Sequence, residues 1–304
     1  MSATAELTGA DRPPKRSGLE AGKAHRNYIP YLLLLPGLLW LAVFFAVPLI
    51  SLFSTSLYDP DGSLIEGYRM TWHFANYVDA VQAYAPQFLR SFLYAGVATA
   101  LALLIGYPLA YTIAFKAGRW KNLLLVAVIA PFFASFLVRT LAWTTILADN
   151  GLVVETLRDI GVLGANGRLL ATPVAVVTGL TYNFLPFVVL PLYASLEKID
   201  RRLIEAAADL YSSSAVAFRR VTFPLSLPGV VAGTLLTFIP AAGDFINAAL
   251  LGTPSTYMIG NVIESQFLQV TDYPTAAALS VLLMASIVIL VAAYVRKSGT
   301  EELV

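Results

Sequence analysis

Two charged side chains interrupt long apolar runs, and they are the first residues with chemistry to offer. Arg139 lies in the run Asn122–Trp143 and Asp244 in the run Val221–Leu251. An ionised group at the centre of a membrane span costs roughly 2.5–3.5 kcal/mol on insertion scales, so each should face the bundle interior and find a partner. At 1.5 Å per residue, Arg139 falls about 26 Å and Asp244 about 22 Å beyond the basic loop that precedes its span. Similar depth leaves two readings open. The charges pair with each other, or with neighbouring groups, as structural glue. Alternatively, Asp244 meets a cationic solute, with Trp143, Tyr182 and Asn183 supplying ring faces and an amide. Arg139 would repel such a solute unless Asp244 or another acid neutralises it. Glu264 and Asp272 follow the second run with no basic residue in their loop, and Glu264 could line an entrance.

Other chemistry has little to work with. There is no cysteine, hence no disulfide framework, thiolate metal site or thiol nucleophile. The two histidines, His25 and His73, are far apart in polar segments. No Gly-x-x-x-x-Gly-Lys-Ser/Thr phosphate loop occurs, so energy for any transport must come from a partner or an ion gradient. A net charge of +1 argues against nucleic acid as a partner.

The elements that must position these residues are membrane spans. Of 304 residues, 58% are hydrophobic and 13% charged; a soluble domain carries about 25% charged residues. Uncharged stretches of 32, 25, 28 and 23 residues (Asn27–Tyr58, Ser91–Phe115, Leu169–Leu196 and Tyr273–Val295) each exceed what a helix needs to cross hydrocarbon. With the two runs bearing Arg139 and Asp244, the expectation is an all-α membrane protein with six spans, near 31–57, 91–115, 122–143, 172–196, 229–251 and 275–295. They form one unit over 29–298, with polar cytoplasmic tails at 1–28 and 299–304. The first span is too long for a signal peptide's apolar core and has no small-residue cleavage site, so it is read as retained. Alternate loops hold 15 and 4 Lys and Arg, which places both termini in the cytoplasm. The outer loops 58–90 and 144–171 are long for connectors, suiting either a docking surface or a cover over the bundle. Prolines and glycines inside spans, among them Pro108, Pro131, Pro186, Pro240 and Gly243, either kink helices to fit a bundle or act as hinges along a path.

Between the fourth and fifth spans, residues 197–228 form a basic, alanine-rich loop. Asp200 is a candidate N-cap, and Leu203, Ala206, Ala207 and Leu210 share a helix face. Ser212 to Ser214 can end that helix and cap a second one. The exposed apolar face predicts docking to another protein. Glu205-Ala206-Ala207, three residues, Tyr211, nine residues and Val221-Thr-Phe-Pro224 resemble the EAA loop of ABC importer inner-membrane permeases. Tyr211 stands where that family usually has glycine, a departure that bears on the fit to an ATPase. Pro86-Gln-Phe-Leu-Arg-Ser, Ser135-Phe-Leu-Val-Arg-Thr-Leu-Ala-Trp143, Ile146-Leu-Ala-Asp-Asn-Gly151 and Gly243-Asp-Phe followed by Met258-Ile-Gly-Asn are similar to the spermidine/putrescine type.

The resemblance implies a type I importer permease in the bacterial inner membrane. A second, usually different permease, two ATPase subunits and an extracytoplasmic solute-binding protein would be its partners. Glu205, Ala206, Ala207, Asp209 and Tyr211 would meet the ATPase. The chain itself would bind no cofactor and no metal, and catalyse no reaction; ATP and Mg would sit on the ATPase subunits. A permease for another small solute, or a secondary transporter or channel, are the competing readings. Under the six-span topology, the cytoplasmic side carries 15 basic and 9 acidic residues and the outer side 4 and 9. The acidic outer surface is compatible with gathering a cationic solute.

Overall fold

The computed structural model describes residues 29–63, 65–209 and 213–298. The tails expected at 1–28 and 299–304, and Tyr211 of the loop, lie outside the described residues. By contacts, the chain divides into residues 1–49 and 50–304. In the first unit, α1 (Ile29–Leu41) passes into a π-helical turn at Ala42–Ala46, with the Trp40 and Phe44 rings 4.2 Å apart. The chain continues as α2 (Val47–Thr55), and Leu32–Thr55 is long and apolar enough to cross a membrane.

The second unit is a helical bundle. After α3 (Ala75–Tyr111) come α4 (Lys121–Ile129), α5 (Phe136–Ile146), α6 (Leu152–Asp159) and α7 (Pro173–Glu197). Three short helices follow, α8 (Arg201–Asp209), α9 (Ser214–Ala217) and α10 (Phe223–Leu225), and then the longer α11 (Leu227–Ala242). Then come α12 (Ile246–Leu251), α13 (Ile259–Ser265) and α14 (Tyr273–Ser298). Among the described residues there is no extended strand, only the isolated bridges Tyr58–Met70 and Ser63–Gly67.

Small side chains set the core. Ala95, Ala98, Ala102, Gly106 and Ala110 form the buried stripe of α3, which lets its backbone approach α7 closely. A Cβ on Gly106 would stand 3.0 Å from Val188 of α7. Gly233 of α11 meets the same Val188 from the other side, its missing Cβ 3.2 Å from the Val188 Cα. Helix starts follow local chemistry. Thr172 Oγ1 accepts the Ala175 N–H at 3.4 Å with Pro173 in the first turn, and Asp272 Oδ1 accepts the Thr275 N–H at 3.1 Å.

Four helices can cross a membrane singly, and two bent pairs bring the number to six if each pair is one span. The straight spans expected at 122–143 and 229–251 are both interrupted. The first turns by 95° between Phe133 and Phe136, where Pro131 lies in a 3₁₀ turn. The second stops after Ala242 and restarts at Ile246. A further 62° bend at Ser226 separates α10 from α11. Much of the outer segment read as a loop is helical, because α3 begins at Ala75. Ala80, with Tyr77, Tyr84 and Phe88, packs there against Ile259 of α13 and Ala278 and Leu279 of α14.

Candidate functional site

The loop after α7 is built from its anchors outward. Glu197 pairs with Lys121 at the start of α4. Asp200 begins α8 as expected: its Oδ1 accepts the Arg202 N–H at 2.9 Å and its carbonyl the Leu203 N–H at 3.0 Å. Ile199 is buried and Ile204 half-buried against the α3–α7 core, while Arg201 Nη2 donates to the Ala114 carbonyl at 3.5 Å. These contacts leave Leu203, Glu205, Ala206 and Asp209 exposed and Ala207 half-buried. Ser213 Oγ accepts the Val216 N–H at 3.4 Å and opens α9, which runs on through a π-helical turn at Phe218–Thr222.

A ring cluster that sequence reading missed joins this loop to the bundle. Phe218 stands edge-on to Tyr107 at 5.6 Å and Tyr111 at 6.0 Å, both on α3. Phe223 lies 6.0 Å from Tyr107, and the Tyr107 hydroxyl shares a 2.8 Å hydrogen bond with Ser226 Oγ. Two tyrosines spaced i, i+4 on an apolar helix were the available signal.

In the interior, the break between α11 and α12 gathers segments from across the sequence. Asp244 is 8% exposed, and its Oδ1 accepts the Asn247 N–H at 2.8 Å. Asn261 Nδ2 donates to the Phe245 carbonyl at 2.7 Å, and Asn261 Oδ1 accepts the Met258 N–H. Ser91 Oγ accepts the Ile259 N–H at 2.7 Å, and Arg90 donates to the Tyr257 carbonyl at 2.6 Å. A Cβ on Gly260 would lie 2.6 Å from the Gly243 carbonyl oxygen, so this approach requires glycine. Three motifs far apart in sequence, around Arg90-Ser91, Gly243-Asp-Phe and Met258-Ile-Gly-Asn261, are therefore one structural unit.

An amide chain extends from that unit. Asn183 Nδ2 donates at 3.0 Å to Asn247 Oδ1 and at 3.0 Å to Thr140 Oγ1, tying α7 to α12 and α5. Asn183 Oδ1 and Asn247 Nδ2 are buried without a hydrogen-bond partner. Trp143 and Tyr182 stack edge-on at 5.4 Å. Of the residues expected along a solute path, Trp143 and Tyr182 thus meet, and Asn183 reaches Asp244 through Asn247. Asn247 and Thr140 were not foreseen, although Thr140 adjoins Arg139 and Asn247 follows Asp244 by three residues. Glu264 lies half-buried on α13, with no hydrogen bond to this cluster among the described residues.

Arg139 is not paired with Asp244. Its guanidinium sits over the rings of Phe132 at 4.7 Å and Phe136 at 5.7 Å. Among the described residues no acid lies within ion-pair distance of it. Depth had been counted along straight helices. The 95° turn before α5 redirects the arginine, while Asp244 is engaged by the first turn of α12.

Comparison with known proteins gives this geometry a family. The spermidine/putrescine transport system permease protein PotB of Haemophilus influenzae is 38% identical over 258 residues, 84% of this chain and 90% of that one. PotB of Escherichia coli K12 is 37% identical over 261 residues, 85% and 94% of the two chains. The fold matches a chain of the bacterial alginate ABC transporter in complex with alginate pentasaccharide-bound periplasmic protein. The TM-score is 0.67 over 91% of this chain and 96% of that one, at 21% identity. Residues 102–298 match the family described as binding-protein-dependent transport system inner membrane component. The chain belongs to that family, and it is a multi-pass membrane protein with the type I fold of ABC importer permeases.

Proposed function

We propose that the chain is a permease subunit of an ATP-driven importer that moves polyamines, spermidine or putrescine, inward by alternating access. The observation that carries the substrate class is 37–38% identity, over more than four fifths of the chain, to permeases named for those solutes. Asp244, the Trp143–Tyr182 ring pair and Asn183 form the solute path in this reading, with Glu264 at its mouth. Support comes from the buried carboxylate and the ring faces, both suited to an ammonium group.

ATPase subunits carrying ATP and Mg dock on α8 through Glu205, Ala206, Ala207 and Asp209, and Tyr211 is assigned to the same contact by the sequence motif. The exposure of Glu205, Ala206 and Asp209 supports that role. A second, different permease completes the path, a solute-binding protein delivers the polyamine from outside, and both termini are cytoplasmic. The chain itself carries no catalytic residue.

In proteoliposomes holding the assembled importer, spermidine uptake should require ATP. Uptake that is indifferent to ATP depletion but abolished by an ionophore would overturn the reading. Glu205→Arg should insert normally and lose the ATPase on co-purification; retention of the ATPase with unchanged uptake would remove the docking role.

A further inference from the structure

Arg139 is 8% exposed, and its Nε and Nη1 are buried without hydrogen-bond partners. It lines a cavity of about 290 Å³. One wall is Leu124, Ala127 and Val128 of α4 with Pro131 of the 3₁₀ turn that follows, at i, i+3, i+4 and i+7; Leu109 of α3 and Tyr182, Leu185 and Pro186 of α7 close the other side. That face is about 10 Å long at 1.5 Å per residue. Ala127 is exposed, so the cavity opens to the outside of this chain, beside the exposed Leu123 and Val126.

From this we propose that the cavity is a phospholipid site, with the lipid phosphate on Arg139 and one acyl chain along the α4 groove. A buried guanidinium without an acid calls for an anion, and forked N–H donors suit phosphate oxygens. Basic pockets between membrane helices hold lipid head groups by the same chemistry. The walls, apolar apart from the Tyr182 hydroxyl and Arg139, select what else the ligand carries. An apolar cavity is poorly filled by water, whereas an acyl chain covers the whole groove. A carboxylate from a neighbouring subunit would neutralise the arginine and leave the groove empty. Like charge repels a polyamine from Arg139. Of the residues assigned to the solute path only Tyr182 lines this cavity; Asp244, Trp143, Asn183 and Glu264 do not.

Native mass spectrometry on the full chain, delipidated in neutral detergent, tests the site. Phosphatidylglycerol should bind at one copy per chain, about tenfold or more tighter than diacylglycerol with the same tails, the difference expected from charge-assisted hydrogen bonds. Inorganic phosphate alone should not bind detectably. Arg139→Gln should remove the preference over diacylglycerol and Arg139→Lys restore part of it. Ala127→Trp should block the groove and lower binding of both lipids with the arginine intact. Equal affinity of the wild-type chain for the two lipids would overturn the proposal without recourse to any variant. So would binding of inorganic phosphate in place of lipid. A cross-link from position 139 to a carboxylate of the second permease, in assembled importer that retains no lipid, would assign the arginine to a subunit contact instead.

Discussion

The chain breaks twice inside runs that read as single spans, once before α5 and once before α12, and the two breaks are held differently. At Gly243–Phe245 the free backbone groups are met from afar. Asn261 donates to the Phe245 carbonyl, Gly260 packs on the Gly243 and Asp244 carbonyls, and Ser91 and Arg90 hold the α13 side of the contact. At Ala134–Ser135 the recorded backbone bonds are local, from Ala134 to Pro131 and from Arg139 to Ser135. Phe133 beside them is 90% exposed. Backbone freed within a membrane must be re-satisfied by its surroundings. The break before α12 does so within this chain and is a fixed joint, and the charge it carries is hydrogen-bonded. The break before α5 keeps an arginine with no acid within ion-pair distance among the described residues.

Substitutions can break or sharpen that contrast. The largest effect is expected for Gly260→Val, which drives a side chain against two backbone carbonyls. It should cost about 3 kcal/mol, read as a lowered thermal midpoint of the purified complex. A midpoint equal to wild type would show the α12 break to be as loose as the other. Next comes Asn247→Leu, similar in volume but without the acceptor for Asn183. A loss of about 2 kcal/mol is expected from the orphaned amide. Urea or thermal unfolding of the same complex measures it, and a neutral outcome would mean the amide chain adds nothing to the joint. The smallest effect on stability belongs to Asp244→Asn. Either side chain can accept the Asn247 N–H, so stability should change by no more than about 0.5 kcal/mol. Spermidine uptake by the same variant should nevertheless fall at least tenfold. Unchanged apparent affinity and rate would leave Asp244 as part of the joint and no part of the solute path.

These contrasts also mark what could be read from sequence. The spacing from Glu205 to Pro224, the Asp200 cap and the prolines that open α10 and α11 are local features, and local rules suffice for them. The convergence of Arg90-Ser91 on residues 257–259 spans more than 160 positions, and no periodicity encodes it. Pairing Arg139 with Asp244 failed for a specific reason. Rise per residue measures depth along a straight helix, and one of the two helices turns by 95° before its charge. Asn247 and Thr140 were passed over beside the charges they accompany, because their side chains act across helices rather than within one. Their roles appear when α5, α7 and α12 are packed together.

The aromatic contact between the loop and α3 has a mechanical side. Phe218 and Phe223 rest on Tyr107 and Tyr111 next to Pro108, so the loop bears on α3 at a point where a proline has removed one rung of the helix ladder. Packed rings resist compression strongly, whereas separating them forfeits only dispersion contacts. Such a joint works as a strut: it passes a push from the loop into the bundle with little loss, and a pull poorly. The Tyr107–Ser226 hydrogen bond is a tether set in parallel with that strut. Any force applied to this loop is thus biased in direction, with thrust toward α3 carried by the rings and the return limited by a single hydroxyl pair.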